Sequence, residues 1–237
     1  MIEMNYGVPY MGSKNKIAKD IIELLPSGHR FVDLFAGGCA MTHAALASGK
    51  YDCVLTNDKF PVCGMDLFKM AVEGKFDDPK YLRIVGYDEF YARRYIDPWM
   101  IAIFGFNTTT RYFAGKNGQA AQLISKNNIT DIITLAQLGC KFPLQYLNRL
   151  RKLKDCVDLA NVEFAQMDYT DYEFREGDVV YCDPPYRGTA NYRHTKEQFD
   201  NDKLWEWVRT RDYPVYVSEY NAPDDFVSIF EKQRGGI

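Results

Sequence analysis

The sequence predicts an α/β fold: a doubly wound parallel sheet with an inserted, mainly helical domain. Three observations predict it. Short apolar runs separated by helical patterns recur at both ends of the chain, as strands buried on both faces require. The first run leads through a glycine turn into a helix of small residues, and the next run ends in an acid, which is one nucleotide-binding half of such a sheet. Between Pro61 and about Val157 this rhythm is lost, so residues 61–157 read as an insertion between a core of residues 1–60 and 158–237.

Taken in order, Tyr10-Met11-Gly12-Ser13-Lys14 precedes a helix with Ile17, Ile21, Leu24 and Leu25 at helical spacing, ended by Pro26-Ser27-Gly28. Arg30 to Phe35 is the first strand, Ala36-Gly37-Gly38-Cys39 the turn, and Ala40, Ala44 and Ala45 mark the following helix. Glycine turns of this kind are common, and two adjacent glycines are a weak signal. The turn is not Gly-x-Gly-x-x-Gly, so no pyrophosphate cradle is required and a cofactor without phosphates fits better. Asp58 strengthens the assignment. It follows the strand Cys53 to Thr56, 25 residues after Asp33, where an acid can accept both hydroxyls of a ribose.

Within the insertion, Asp66 to Ala71 reads as helical, and Tyr81 to Tyr95 is rich in tyrosine and arginine. Phe104 to Gly118 combines aromatics, hydroxyls, Asn107, Arg111 and a Lys116-Asn117-Gly118 turn, the pattern of a hairpin or loop carrying hydrogen-bonding side chains. Leu144, Leu147, Leu150, Leu153 and Val157 make an amphipathic helix, with Arg149, Arg151, Lys152 and Lys154 on its other faces. Val162 to Ala165 resumes the sheet, followed by Asp168. Val179-Val180-Tyr181-Cys182 is a strand stopped by Asp183-Pro184-Pro185-Tyr186. Leu204, Trp205 and Val208 mark a helix, and Val215-Tyr216-Val217 a last strand before Ser218-Glu219-Tyr220.

Charge is unevenly distributed. The net charge is −3, yet Lys80 to Lys154 holds twelve Lys and Arg against four Asp and Glu, a net of +8, and the rest of the chain a net of −11. That asymmetry points to a polyanion-facing module, or else to a solvated helical face. Six scattered cysteines without a Cys-x-x-Cys pair, and three separated histidines, fit neither a disulfide framework nor a metal site. No stretch reads as a secretion signal or a membrane span, so a soluble protein of a reducing cytoplasm is expected.

The end of the Val179 strand carries the chemistry. A carboxylate, a carbonyl held by a stiff proline ring and an aromatic face are suited to grip a planar base by its amine and stack on it. An aromatic amine is a poor nucleophile, so hydrogen bonds from it to Asp183 and to the Pro184 carbonyl would favour a pyramidal nitrogen with an aimed lone pair.

In their order, Tyr10 to Lys14, Asp33 to Gly38, Asn57-Asp58, Phe104 to Gly118, Asp168-Tyr169, Asp183 to Tyr186 and Ser218-Glu219-Tyr220 resemble the Dam-type DNA adenine methyltransferases, most closely their phage-borne branch with its α-type motif order. The resemblance implies a Rossmann-like methyltransferase fold, S-adenosylmethionine as cofactor with S-adenosylhomocysteine as product, no metal, and transfer to the N6 amine of an adenine flipped from duplex DNA. It implies that Tyr10 and Lys14 contact the cofactor, Lys14 near its carboxylate. Asp33, Phe35 and Gly37 would surround the methionine part, Asp58 hold the ribose, Asp168 lie near the cofactor's adenine, and Asp183 lie between cofactor and target. Asp183, Pro184 and Tyr186 would be catalytic. Asn107, Arg111 and Lys116 would read bases, and Arg149, Lys152 and Lys154 contact phosphates.

Two departures are visible. The Phe104 to Gly118 block lacks a second Phe-Asn and a following Pro-x-Gly found in many relatives, so the recognised sequence is not readable from it. Relatives also continue beyond the Ser-Glu-Tyr strand, whereas this sequence stops at Ile237, from which an open sheet edge and a monomer or weak dimer are expected. The alternatives are an amino methyltransferase for RNA or for a protein glutamine, and a catalytically silent protein that binds cofactor or DNA. Asp183 argues against glutamine, for which related sites carry Asn. A bacterial or phage-infected cytoplasm is the expected location.

Overall fold

A computed structural model of the chain describes residues 5–10, 12–61, 64–105, 119–187 and 199–231, apart from the side chains of Gln119 and Ala121. Its centre is a five-stranded sheet of β1 (Arg30–Asp33), β2 (Cys53–Asn57), β3 (Val162–Ala165), β4 (Asp178–Cys182) and β5 (Val215–Val217). The order is β3-β2-β1-β4-β5, and every pairing is parallel. The chain winds outward from β1 to β3, then returns to the other side of β1 for β4 and β5. The direction of winding therefore reverses between β1 and β4, where ligands of such sheets bind.

Both faces of the sheet are covered, which is why its strands read as continuous apolar runs rather than alternating ones. On one face α1 (Ala18–Leu24) and α2 (Ala40–Ser48) bury Ile21, Ile22, Met41 and Ala44 against Phe31, Val54, Val179 and Tyr181. On the other, α9 (Asn201–Arg209) sets Leu204, Trp207 and Val208 with Tyr169 and Tyr172 against Val32, Leu34, Leu55 and Val180. Lys50 Nζ donates to the carbonyls of Ile22, Glu23 and Leu25, satisfying acceptors that the end of α1 would leave open.

The region between β2 and β3 is helical. It holds α3 (Met65–Val72), α4 (Tyr87–Arg93), α5 (Pro98–Met100), α6 (Gln119–Asn127), α7 (Ile132–Gln137) and α8 (Phe142–Lys152), with short 3-10 turns between them. Its side chains form one apolar cluster, including Phe68, Phe76, Met100, Ile132, Leu135, Leu147 and Leu150, which reaches the sheet through Val8, Ala36 and Cys39. The amphipathic pattern of Leu144 to Val157 is a helix only as far as Lys152, since Leu153–Asp155 tightens into a 3-10 turn. At the start of the block expected as a hairpin or loop, Phe104 and Gly105 close a π-helical turn, Ile101–Gly105, that extends α5. Trp99 packs edge-on to Tyr81 and Phe104, and this buried packing overrides the strand preference of a local aromatic run. The rest of the Phe104 to Gly118 block, with Asn107, Arg111 and Lys116, lies outside the described residues.

Candidate active site

A cleft opens at the carboxyl ends of β1 and β4. Tyr10, Ser13, Lys14, Asp33, Phe35, Gly37, Gly38, Met41 and Asp183 line it. Six of the residues expected at a cofactor site thus meet in one place, although they come from three separate parts of the chain.

The floor is set by Asp33, at the end of β1. It is buried, and its Oδ2 accepts from the Thr42 amide and hydroxyl, with Thr56 Oγ1 hydrogen-bonded to Thr42 behind it. Its Oδ1 is buried with no partner among the described residues. Burial, opposed by the Thr42 hydroxyl and reinforced by the nearby Asp183 charge, pushes its carboxyl up to about 7. Ser13 Oγ, also in the cleft lining, is a second buried polar atom without a partner among the described residues. An open acceptor and an open hydroxyl in one small cleft suit a ligand end that carries both an ammonium and a carboxylate. The donor set therefore fits the amino-acid end of S-adenosylmethionine.

The glycine turn forms one wall. Gly37 has φ +48, and a Cβ there would stand 2.8 Å from Tyr10 Cε1; on Gly38 it would stand 2.5 Å from Tyr10 Cβ. The two glycines are thus what allows Tyr10 to lie against the turn. Asp58 holds the turn from behind. Its Oδ2 accepts the Gly37 amide at 2.8 Å and its Oδ1 the Phe60 amide at 2.7 Å. Burial raises its pKa and those amides oppose the rise. Each oxygen keeps a further lone pair, so the carboxylate can also take hydroxyls. Asn57 brackets the strand ends, donating to Leu34 and Met167 carbonyls and accepting the Met167 amide.

The opposite wall is the segment after β4. Asp183 shows 18% of its side-chain surface, and Lys14 11%. Lys14 Nζ lies 2.5 Å from Asp183 Oδ1 and 2.6 Å from Oδ2, and 4.8 Å from the centre of the Tyr186 ring. The Tyr186 hydroxyl donates to Asp183 Oδ1 at 3.0 Å. Burial raises the Asp183 carboxyl, while the Lys14 ammonium pulls it back down. Lys14 therefore meets Asp183, the acid that follows β4, where the family resemblance implies the neighbourhood of a ligand carboxylate. Asn201 Nδ2 donates to the Pro185 carbonyl, Ser218 bonds to Tyr181 through its hydroxyl and to the Cys182 carbonyl through its amide, and Tyr220 packs edge-on to Tyr186. These contacts fix the direction of the Pro-Pro segment.

Other expected residues sit elsewhere. Asp168, after β3, accepts from Lys59 Nζ at 2.8 Å and from the Thr170 amide and hydroxyl. Against the effect of burial, these bring it down to about 2. On α8, Arg149 turns inward to the carbonyls of Tyr6 and Gly7 at 3.4 Å, and burial lowers its pKa. Lys154 pairs with Asp77. Lys152 is exposed. The expected row of three phosphate-facing cations is reduced accordingly, because local periodicity cannot show that the N-terminal segment passes beside Arg149. Thr42 and Asn201 were not singled out by sequence, whereas Ser13 and Ser218 stand in the quoted Tyr10 to Lys14 and Ser218-Glu219-Tyr220 stretches without a role of their own.

Among the described residues no helix is long and apolar enough to cross a membrane, and no group of three or more His, Cys, Asp or Glu side chains is arranged to hold a metal.

Comparison with known proteins places these residues in context. A family model described as D12 class N6 adenine-specific DNA methyltransferase matches residues 10–82 and 78–204, which takes in both walls of the cleft. The retron Ec67 DNA adenine methylase of Escherichia coli is 27% identical over 229 residues, covering 88% of this chain and 75% of the relative.

Proposed function

The chain belongs to the D12 class N6 adenine-specific DNA methyltransferases, and from that membership we propose that it transfers a methyl group from S-adenosylmethionine to an adenine flipped out of duplex DNA, in the cleft between β1 and β4. The observation that carries this reading is the joining of two kinds of group in one cleft. Asp33 Oδ1 and Ser13 Oγ are suited to an amino-acid zwitterion, and Asp183-Pro184-Pro185-Tyr186 to an amine-bearing base.

In this reading the cofactor's amino-acid end lies on Asp33, Ser13 and Lys14, with Tyr10, Phe35 and Gly37 around it. Asp58 takes the ribose hydroxyls, and Asp168 borders the cofactor's adenine. The cofactor supplies a methyl group on a sulfonium, already a strong electrophile, so help is needed at the amine. Asp183 accepts one amine hydrogen and the Pro184 carbonyl the other, which holds the nitrogen pyramidal with its lone pair aimed at the methyl. The Tyr186 ring stacks on the base, worth about 1–3 kcal/mol and so offsetting much of the cost of unstacking it. Residues 61–157 form the target-recognition domain, with Asn107, Arg111 and Lys116 reading bases and Lys152 the strongest candidate on α8 for a phosphate, Arg149 and Lys154 being engaged within the protein.

Incubation with methyl-labelled S-adenosylmethionine and separate DNA, RNA and protein pools tests the assignment. Label in adenine of DNA is expected; label in RNA or protein alone would contradict it.

A further inference from the structure

The Lys14 ammonium stands where, in the reading above, the target amine would bind. It contacts both oxygens of Asp183 at 2.5 and 2.6 Å and lies over the ring of Tyr186, while the Tyr186 hydroxyl takes a further lone pair of Oδ1. An amine entering the cradle meets a carboxylate already engaged on both oxygens, and an ammonium on the face where its ring would stack. Lys14 also lines the same cleft as Asp33 and Ser13, the groups suited to a zwitterion. In the cofactor reading above it would therefore stand between two carboxylates, one belonging to the protein and one brought by the cofactor.

We propose that Lys14 is a counter-ion switch: its ammonium neutralises Asp183 until the cofactor's carboxylate draws it away, and only then are both Asp183 oxygens available to the target amine. The inference rests on the cofactor reading above and deepens it by giving the two ligands an order. Once Lys14 has moved, the largely buried Asp183 side chain lacks its cationic partner, and its oxygens can accept an amine hydrogen in place of the ammonium. Cofactor binding thereby prepares the base site. Lys14 is a positioning residue in this scheme, acting on the amine through Asp183.

Titration calorimetry on the full chain tests the switch, with S-adenosylhomocysteine and its decarboxylated analogue as probes. Cofactor binding has to break the Lys14–Asp183 pair, so Asp183→Asn, which weakens that pair, is expected to tighten S-adenosylhomocysteine about ten-fold, the scale of one charge-assisted hydrogen bond. The decarboxylated analogue, which offers Lys14 nothing, is expected to bind Asp183→Asn and the unsubstituted protein alike. In a Lys14→Met background, Asp183→Asn is expected to change neither affinity. Asp183→Ala, read in the same way, guards against a rearrangement peculiar to Asn, and thermal melting reports whether each variant folds. Unchanged or weakened S-adenosylhomocysteine binding in both Asp183 variants, or equal tightening of both ligands, would overturn the switch and leave the cofactor reading standing. Failure of the unsubstituted protein to bind S-adenosylhomocysteine would overturn both.

Discussion

Asp33 is stabilised as a neutral acid by its surroundings, yet in the proposed reading a cofactor ammonium would need it charged. Its folded pKa of about 7 lies above the ordinary value of 3.8 because it is buried. From about pH 4 to about pH 7 the unfolded chain ionises at this residue and the folded chain does not. The stability that Asp33 contributes is therefore fully present below pH 4 and lost as pH rises through 7, by as much as roughly 4 kcal/mol. Asp33→Asn is expected to remove this slope. Denaturant melts at pH 5 and pH 7.5 should show the variant gaining on the parent protein as pH rises, while its affinity for S-adenosylmethionine falls; parallel pH profiles would contradict the assignment. Gly37→Ala is a second case at this scale. A methyl 2.8 Å from the Tyr10 ring, on a backbone at φ +48, should cost cofactor binding before it costs folding. Calorimetry beside a thermal melt separates the two. Asp33, Gly37 and Asp183 were legible in the sequence because each ends a strand or makes its turn. Ser13 and Thr42 were not, since their roles depend on groups brought in from elsewhere in the chain.

Among the elements, α8 shows what periodicity reveals and what it leaves out. Its leucine stripe announces a helix with one buried face, and Leu147 and Leu150 are fully buried. The same pattern assigns Arg149 to the solvent side, where the segment Tyr6-Gly7 in fact receives it. The three cations should accordingly respond differently to removal. Lys152→Ala is expected to weaken DNA binding and lower the salt slope by about one released counterion. Lys154→Ala, which breaks an exposed pair with Asp77, should change either property less. Arg149→Ala should lower the melting temperature, because it removes buried packing and two carbonyl contacts. Fluorescence binding at several salt concentrations distinguishes them, and equal salt slopes for Lys152→Ala and the parent would remove the helix from the DNA interface. Just past the end of α2, Lys50 is the reverse case, a lysine whose ammonium closes the end of another helix. Lys50→Ala is expected to destabilise the fold by about 1 kcal/mol with no effect on binding.

At the scale of the molecule, the sheet order places β1 beside β4 and so brings residues 33 and 183 to one cleft. That juxtaposition was readable in outline. Apolar runs, a glycine turn and an acid after the second strand specify a doubly wound sheet, and a strand broken by Asp-Pro-Pro-Tyr marks where its chemistry lies. The packing of the region between β2 and β3 was less readable. Short helices held by tertiary aromatic contacts, such as the turn through Phe104, carry weak local periodicity. The proposed role of this sheet is to hold Asp183 against the amine of an adenine in DNA. Its most direct test maps N6-methyladenine, base by base, in the DNA of cells expressing either the parent protein or Asp183→Ala. Methyladenine at one short recurring sequence with the parent, and at background level with the variant, is the predicted result; equal methylation by the two proteins, or none by the parent, would contradict it.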